Sequence, residues 1–166
     1  MTDRTIEELH LSIDKSVLPV QEKNRARLRC KPGCASCCVD GITVFAVEAD
    51  LIARHYGDLL ERALPHAEGA CAFLDDQDRC RIYEHRPYVC RTQGLPLRWM
   101  DEDETGHIVE MRDICPLNEE GPPVEELGVD DCWTIGPFEE RLAGLQHRFG
   151  GAAMTRVRLR TLFRRS

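Results

Sequence analysis

Apolar positions first recur at helical spacing near the N-terminus, where Ile6, Leu9, Ile13 and Val17 form one stripe. Residues three and four apart share a helix face. The stripe therefore predicts a core-packing helix, opened by a Thr5/Glu8 capping box and interrupted at Pro19. A second run, with Val47, Leu51, Ile52, Leu59, Leu60, Ala63 and Leu64, predicts one helix to about Tyr56 and a short second one before Pro65, broken at Gly57. Beyond it the pattern shortens. Ala72-Phe73-Leu74 and Cys80-Arg81-Ile82-Tyr83 flank Asp75-Asp76-Gln77-Asp78 as a short hairpin. Leu95 to Met100 and His107 to Met111 form another across Asp101 to Gly106. Between the hairpins, Arg86-Pro87 predicts a helix with Pro at its first position, carrying Cys90. Residues 116–131 read as a long connection packed over something else. A last helix opens at Gly136-Pro137 and buries Phe138, Leu142, Leu145 and Phe149. Residues 154–163 alternate in part between apolar and Arg, which leaves strand and helix both open there.

Composition bounds this picture. At 166 residues, 42% hydrophobic and 31% charged, the chain fits one globular domain over residues 1–166 and excludes a disordered or collagen-like polymer. No stretch approaches the roughly 18 apolar residues needed to cross a bilayer. Met1-Thr2-Asp3-Arg4-Thr5-Ile6-Glu7-Glu8 lacks the basic region and apolar core of a secretory signal. The expectation is a cytoplasmic protein with no membrane partner.

The net charge of −7 is unevenly spread. Residues 101–131 hold twelve acids against Arg112 alone, a net of −11, and the remainder is +4. Five of the bases, Arg156, Arg158, Arg160, Arg164 and Arg165, lie in a basic tail after the last helix, the two together spanning 136–166. With no recognisable reader motif, a nucleic-acid partner is not expected, and the tail reads as a solvated element offsetting the acidic segment. The acidic segment leaves an unidentified protein partner open.

Nine cysteines change the reading most. A reducing cytosol keeps thiols free, so dense cysteine there points to metal or redox chemistry rather than structural disulfides. Cys30-x3-Cys34-x2-Cys37-Cys38 places four thiols within nine residues, close enough to converge on a metal. Neighbouring side chains diverge, so Cys37 and Cys38 either serve two adjacent centres or one is held back from coordination. With Cys71, Cys80, Cys90 and Cys115 there are eight thiols, enough for two four-thiolate sites or for one cluster plus a second ion. Soft thiolates select zinc, copper(I) or iron–sulfur clusters over magnesium or calcium. Cys132, the ninth, reads as a structural thiol beside Trp133.

The run Cys30-Lys-Pro-Gly-Cys34-Ala-Ser-Cys37-Cys38, then Cys71-Ala-Phe-Leu, then Cys80-Arg-Ile-Tyr-Glu-His-Arg-Pro-Tyr-Val-Cys90-Arg, resembles the YkgJ-type cysteine-cluster proteins. That family is named for its CxxxCxxCC motif and described as chelating zinc or iron. The resemblance covers about residues 30–115. It implies that Cys30, Cys34, Cys37, Cys38, Cys71, Cys80, Cys90 and Cys115 bind metal, either zinc or iron, with an iron–sulfur cluster open. One branch of the family is similar to flagellin lysine methylases. Cys30-x3-Cys34-x2-Cys37 also matches the spacing of radical S-adenosylmethionine enzymes. Ser36 stands where those carry an aromatic residue, no Gly-Gly-Glu run follows, and the chain is short for their barrel.

Around the cysteines, Arg86 and Arg91 bracket Cys90 and are candidates to offset thiolate charge, with ordinary ion pairing as the alternative. His85 is a candidate ligand, and His66 a weaker one. The sum is a small, mainly helical α+β domain with short hairpins around an irregular cysteine-rich metal centre. Three functions are consistent with it: a metal-binding protein, an iron–sulfur-dependent redox or methyl-transfer enzyme, and a metal-stabilised adaptor working through its acidic segment.

Overall fold

The structure is a computed structural model that describes residues 2–149 and 155–164, with side chains from Ile6 onward. The N-terminal stripe forms α1 (Thr2–Lys23), in which Ile6, Leu9, Ile13 and Val17 are all buried. Pro19 does not end this helix. Proline removes one N–H and crowds the preceding turn, yet Val20 is buried beyond it and extends the row. Asn24 then closes the end, donating through its backbone N and its Nδ2 to the Val20 carbonyl. The start differs too: the backbone is already helical from Thr2, so Thr5 cannot precede the helix, and its side chain lies outside the described residues.

The second apolar run forms β1 (Thr43–Phe45), α2 (Ala46–His55) and α3 (Gly57–Arg62), with the break at Gly57. α2 is buried on two sides. Val47 and Leu51 join a core with α1, while Ala49 and Ile52 join a second core with Phe73, Leu74, Ile82 and Leu159. β1 divides the same way, Val44 into the second core and Phe45 into the first, because successive strand side chains point to opposite faces.

α5 (Pro137–Arg148) buries Leu142 and Leu145 as its pattern predicts, and Phe138 packs partly against the first core. Phe149 does not follow; it sits exposed at the helix end. The buried position in that turn goes to Gln146, whose Oε1 accepts hydrogen bonds from the backbone N of Ala46 (2.6 Å) and Val47 (3.4 Å). A glutamine 100 residues away thus caps α2, whose N-cap residue, Phe45, has no side chain able to accept those bonds.

The second hairpin forms as β2 (Leu97–Glu102) and β3 (Ile108–Asp113), the first strand shifted two residues toward the turn and the second running two residues past Met111. Asp103 tightens the turn, its Oδ1 accepting from Thr105 N, Thr105 Oγ1 and His107 N. A short β4 (Trp133–Thr134) adds to β2 in parallel. The first hairpin shrinks to a single bridge, Leu74 to Cys80, because Asp75 binds the backbone N of Gln77 and Arg79 in a tight turn and Tyr83 already opens a short helical turn to His85. The helix carrying Cys90 is α4 (Tyr88–Thr92), with Pro87 one position earlier than expected, at the cap.

Residues 116–131 pack as three single helical turns over the end of α1. The buried Arg27 binds the carbonyls of Asn118, Glu119 and Pro122, while Lys23 pairs with Asp131 and Arg29 with Glu120. Residues 154–163 resolve into β5 (Arg156–Arg158), paired antiparallel with β1, followed by a short helical turn; position 154 itself lies outside the described residues. The result is mixed α+β, with five helices and two small sheets among the described residues and 44% helix. Among those residues no helix is long and apolar enough to cross a membrane.

Candidate metal centre

The Pro-Gly break after Cys30 produces consecutive tight turns, Cys34 N donating to Lys31 O and Cys38 N to Ala35 O. Two long-range contacts then bring the later cysteines in. A bridge pairs Val39 with Ala70, and Cys71 N donates to Cys38 O at 2.8 Å, which sets Cys71 beside Cys38. Leu74 N turns back to Cys71 O, and the Leu74–Cys80 bridge brings Cys80 to the same place. Cys90 arrives on the first turn of α4, its N bonded to Pro87 O.

Electrostatics sorts these thiols. Cys38 is pushed well up, first because it donates a hydrogen bond to Cys37, then by burial and by the charges of Cys37, Cys71 and Cys90. Cys37 is correspondingly lowered by that hydrogen bond. Burial raises Cys90 most, with Cys71 and Cys80 adding to it, and raises Cys80, with Cys71 adding. Cys115 belongs elsewhere: after burial, the thiols acting on it are Cys37, Cys30 and Cys34. Cys132 sits in a different, charged setting. Its Sγ is 3.8 Å from an Arg112 nitrogen, and the charges around it are Arg112, Asp131, Arg98 and Glu110.

Asn118 is a residue the sequence reading missed. It is fully buried, and its Oδ1 accepts from Arg29 N while its Nδ2 donates to Gly94 O at 2.7 Å and to Cys30 Sγ at 3.6 Å. Its own N bonds Cys115 O, so one turn ties Cys115 to Cys30. Gly94 leaves the space for this contact: its φ is +88°, and a Cβ there would fall 2.6 Å from Cys30 Sγ. Gly94→Ala is therefore expected to lose roughly 2 kcal/mol or more of stability through left-handed strain and overpacking. An unchanged denaturant midpoint would contradict this.

On the other side a buried polar network supports α4. Glu48, 2% exposed, accepts from Tyr88 N (2.7 Å), from Phe45 N (3.3 Å) and from His10 Nε2 (3.0 Å). Arg91 donates to Asp14 (2.6 Å), Glu84 O and His10 Nδ1. A guanidinium only donates, so His10 Nδ1 accepts and its ring proton sits on Nε2, toward Glu48. Arg91 is thus spent on Asp14 rather than on thiolates. Arg86 lies over the Tyr83 ring and acts on Cys80 at longer range. Arg81 acts on both Cys71 and Cys80, and its buried Nε has no partner among the described residues. The sequence signal for this network was His10 and Asp14, four residues apart on one face of α1.

His85 does not join the thiols. Its Nδ1 contacts Tyr56 OH at 3.0 Å and its ring stacks on His55. His66 enters only through its backbone, which bonds Ala72 O and Arg160. Arg160 also holds Asp40 (2.9 Å) and the carbonyls of Ala67 and Ala70, clasping the loop that leads into Cys71. Arg156 covers the Phe45 ring and Arg164 pairs with Glu61, so these arginines of the basic tail are structural; Arg165 lies outside the described residues.

Soft donors, amide hydrogens directed at sulfur and a guanidinium beside two of the thiols all fit a thiolate-bound metal. Comparison with known families agrees. The model of the CxxCxxCC family, described as "Putative zinc- or iron-chelating domain", matches residues 29–116. That is 88 of 166 residues, and the chain belongs to this family. It is accordingly a metal-binding protein. No curated protein and no solved structure matches it.

Proposed function

We propose that the protein chelates zinc or iron in two adjoining four-thiolate centres, one from Cys30, Cys34, Cys37 and Cys115, the other from Cys38, Cys71, Cys80 and Cys90. The observation that carries this is the backbone pairing: Cys71 N donates to Cys38 O and the Leu74–Cys80 bridge brings Cys80 to the same place, whereas Asn118 ties Cys115 to Cys30 through its N and its Nδ2. Adjacent residues Cys37 and Cys38, whose thiols are hydrogen-bonded to each other, then serve different centres and place the two side by side. Thiolate ligation suits zinc and iron alike. Metal bound here would tie together three loops that otherwise meet through few backbone bonds. Thiolate ligation of metal suits a reducing compartment, which supports a cytoplasmic protein. The acidic segment gives less support to an adaptor, since Glu110, Glu120 and Asp131 already pair with the chain's own bases.

The test is metal and acid-labile sulfide analysis of anaerobically purified protein beside Cys115→Ser and Cys90→Ser. Each variant is expected to lose about half of the metal. Full retention in either would remove that cysteine from its centre, and equal loss of all metal in both would argue for one joint site. Sulfide in proportion to iron identifies clusters; zinc without sulfide identifies closed ions.

A further inference from the structure

Among the described residues, one group of three potential ligand atoms lies mutually within 4.8 Å, and it contains no cysteine: Glu7, His55 and His85. The three come from separate parts of the fold, namely α1, the last turn of α2, and the helical turn Tyr83–His85. Glu7 Oε1 stands 3.2 Å from His55 Nε2. Two atoms each about 2.0–2.1 Å from a tetrahedral ion are separated by roughly 3.3 Å, so this edge is already at ligand spacing. The two imidazole rings stack with centroids 3.8 Å apart and planes at 19°. Tyr56 OH holds His85 through Nδ1, which leaves Nε2 as the nitrogen free to ligate. Burial, followed by the charge of His55, depresses His85 below the ordinary imidazole range and favours the neutral, ligating form.

We propose that Glu7, His55 and His85 form a second kind of site, free of thiolate, for a divalent transition-metal ion such as zinc, with one coordination position open to solvent. Two histidines and a carboxylate are a donor set used where such an ion keeps an exchangeable ligand. Tyr56 is a positioning residue for it, orienting His85 as outer partners orient metal-bound histidines. An ion would take the place of the direct contact between Glu7 Oε1 and His55 Nε2.

Cobalt(II) separates this site from the thiol centres, because cobalt held by nitrogen and oxygen shows weak d–d bands without intense sulfur-to-cobalt charge transfer. Metal-replete full-length protein titrated with cobalt(II) is expected to bind one further equivalent with only the weak bands. His55→Ala and Glu7→Gln should abolish that equivalent, and Tyr56→Phe should weaken it about 10- to 100-fold, each keeping the wild-type thiolate metal content. That retained content, with an unchanged far-ultraviolet circular dichroism spectrum, shows that the variants fold. No additional cobalt in the wild type, or equal binding in the wild type and His55→Ala, would overturn the proposal without touching the thiolate reading.

Discussion

Stripping the metal with a strong chelator is expected to unfold most of the protein. Structural zinc sites in small peptides carry an apparent binding free energy of about 10–16 kcal/mol. Whole domains are stable by only about 5–15 kcal/mol, so the metal-free chain should fall near or below its folding threshold. The geometry says where this begins. Cys71 is part of the second core, Cys38 and Cys80 pack against it, and thiols released to water would open the cavity side of Phe73 and Ile52. The first core rests on α1 and α5 and should melt later. Thermal melting and hydrogen exchange, before and after metal removal verified by elemental analysis, test this. An unchanged melting curve after complete removal would show that the metal is not structural.

Glu48→Ala is expected to be the most damaging single substitution away from the thiols. It removes one acceptor from three buried donors, His10 Nε2, Phe45 N and Tyr88 N. Removing one member of a buried polar pair costs about 3–5 kcal/mol. In a chain of this size that corresponds to a fall in Tm of roughly 10 °C. Because Tyr88 begins the helix that carries Cys90, metal should also be lost, from the centre we assign to Cys90 first. Glu48→Gln keeps the shape and one acceptor oxygen and should lie between Glu48→Ala and wild type. A drop of under about 2 °C for Glu48→Ala would mean that the network contributes little.

Local signals in the chain predicted local structure well. Gly57 broke the second apolar run where α2 gives way to α3, and the alternation on either side of Asp101–Gly106 produced β2 and β3. Pro19 misled because the helix runs through it to bury Val20, and Asn24 rather than the proline closes its end. Phe149 misled because a polar residue, Gln146, was needed inside to cap α2 from α5. The cysteine spacing identified chelation and the family. It could not sort the thiols, since that depends on the Val39–Ala70 bridge and on Asn118, both set by pairing between distant segments. Glu7 and His55 were invisible as a pair for the same reason: the residues that complete the group lie 48 and 30 positions from His55 in the chain.

The clasp made by Arg160 shows that the ligands and the fold have different footprints along the chain. Every thiol of the two centres we propose lies within residues 29–116, the region matched by the family. The parts that hold those thiols in place reach much further. Arg160 fastens the loop before Cys71, β5 completes the sheet with β1, and α1 supplies the wall against which α2 and α4 lie. A fragment cut at the borders of the motif would keep all eight proposed ligand sulfurs and lose the scaffold that brings them together. The short motif is the inventory of ligands, and the termini are part of the chelator.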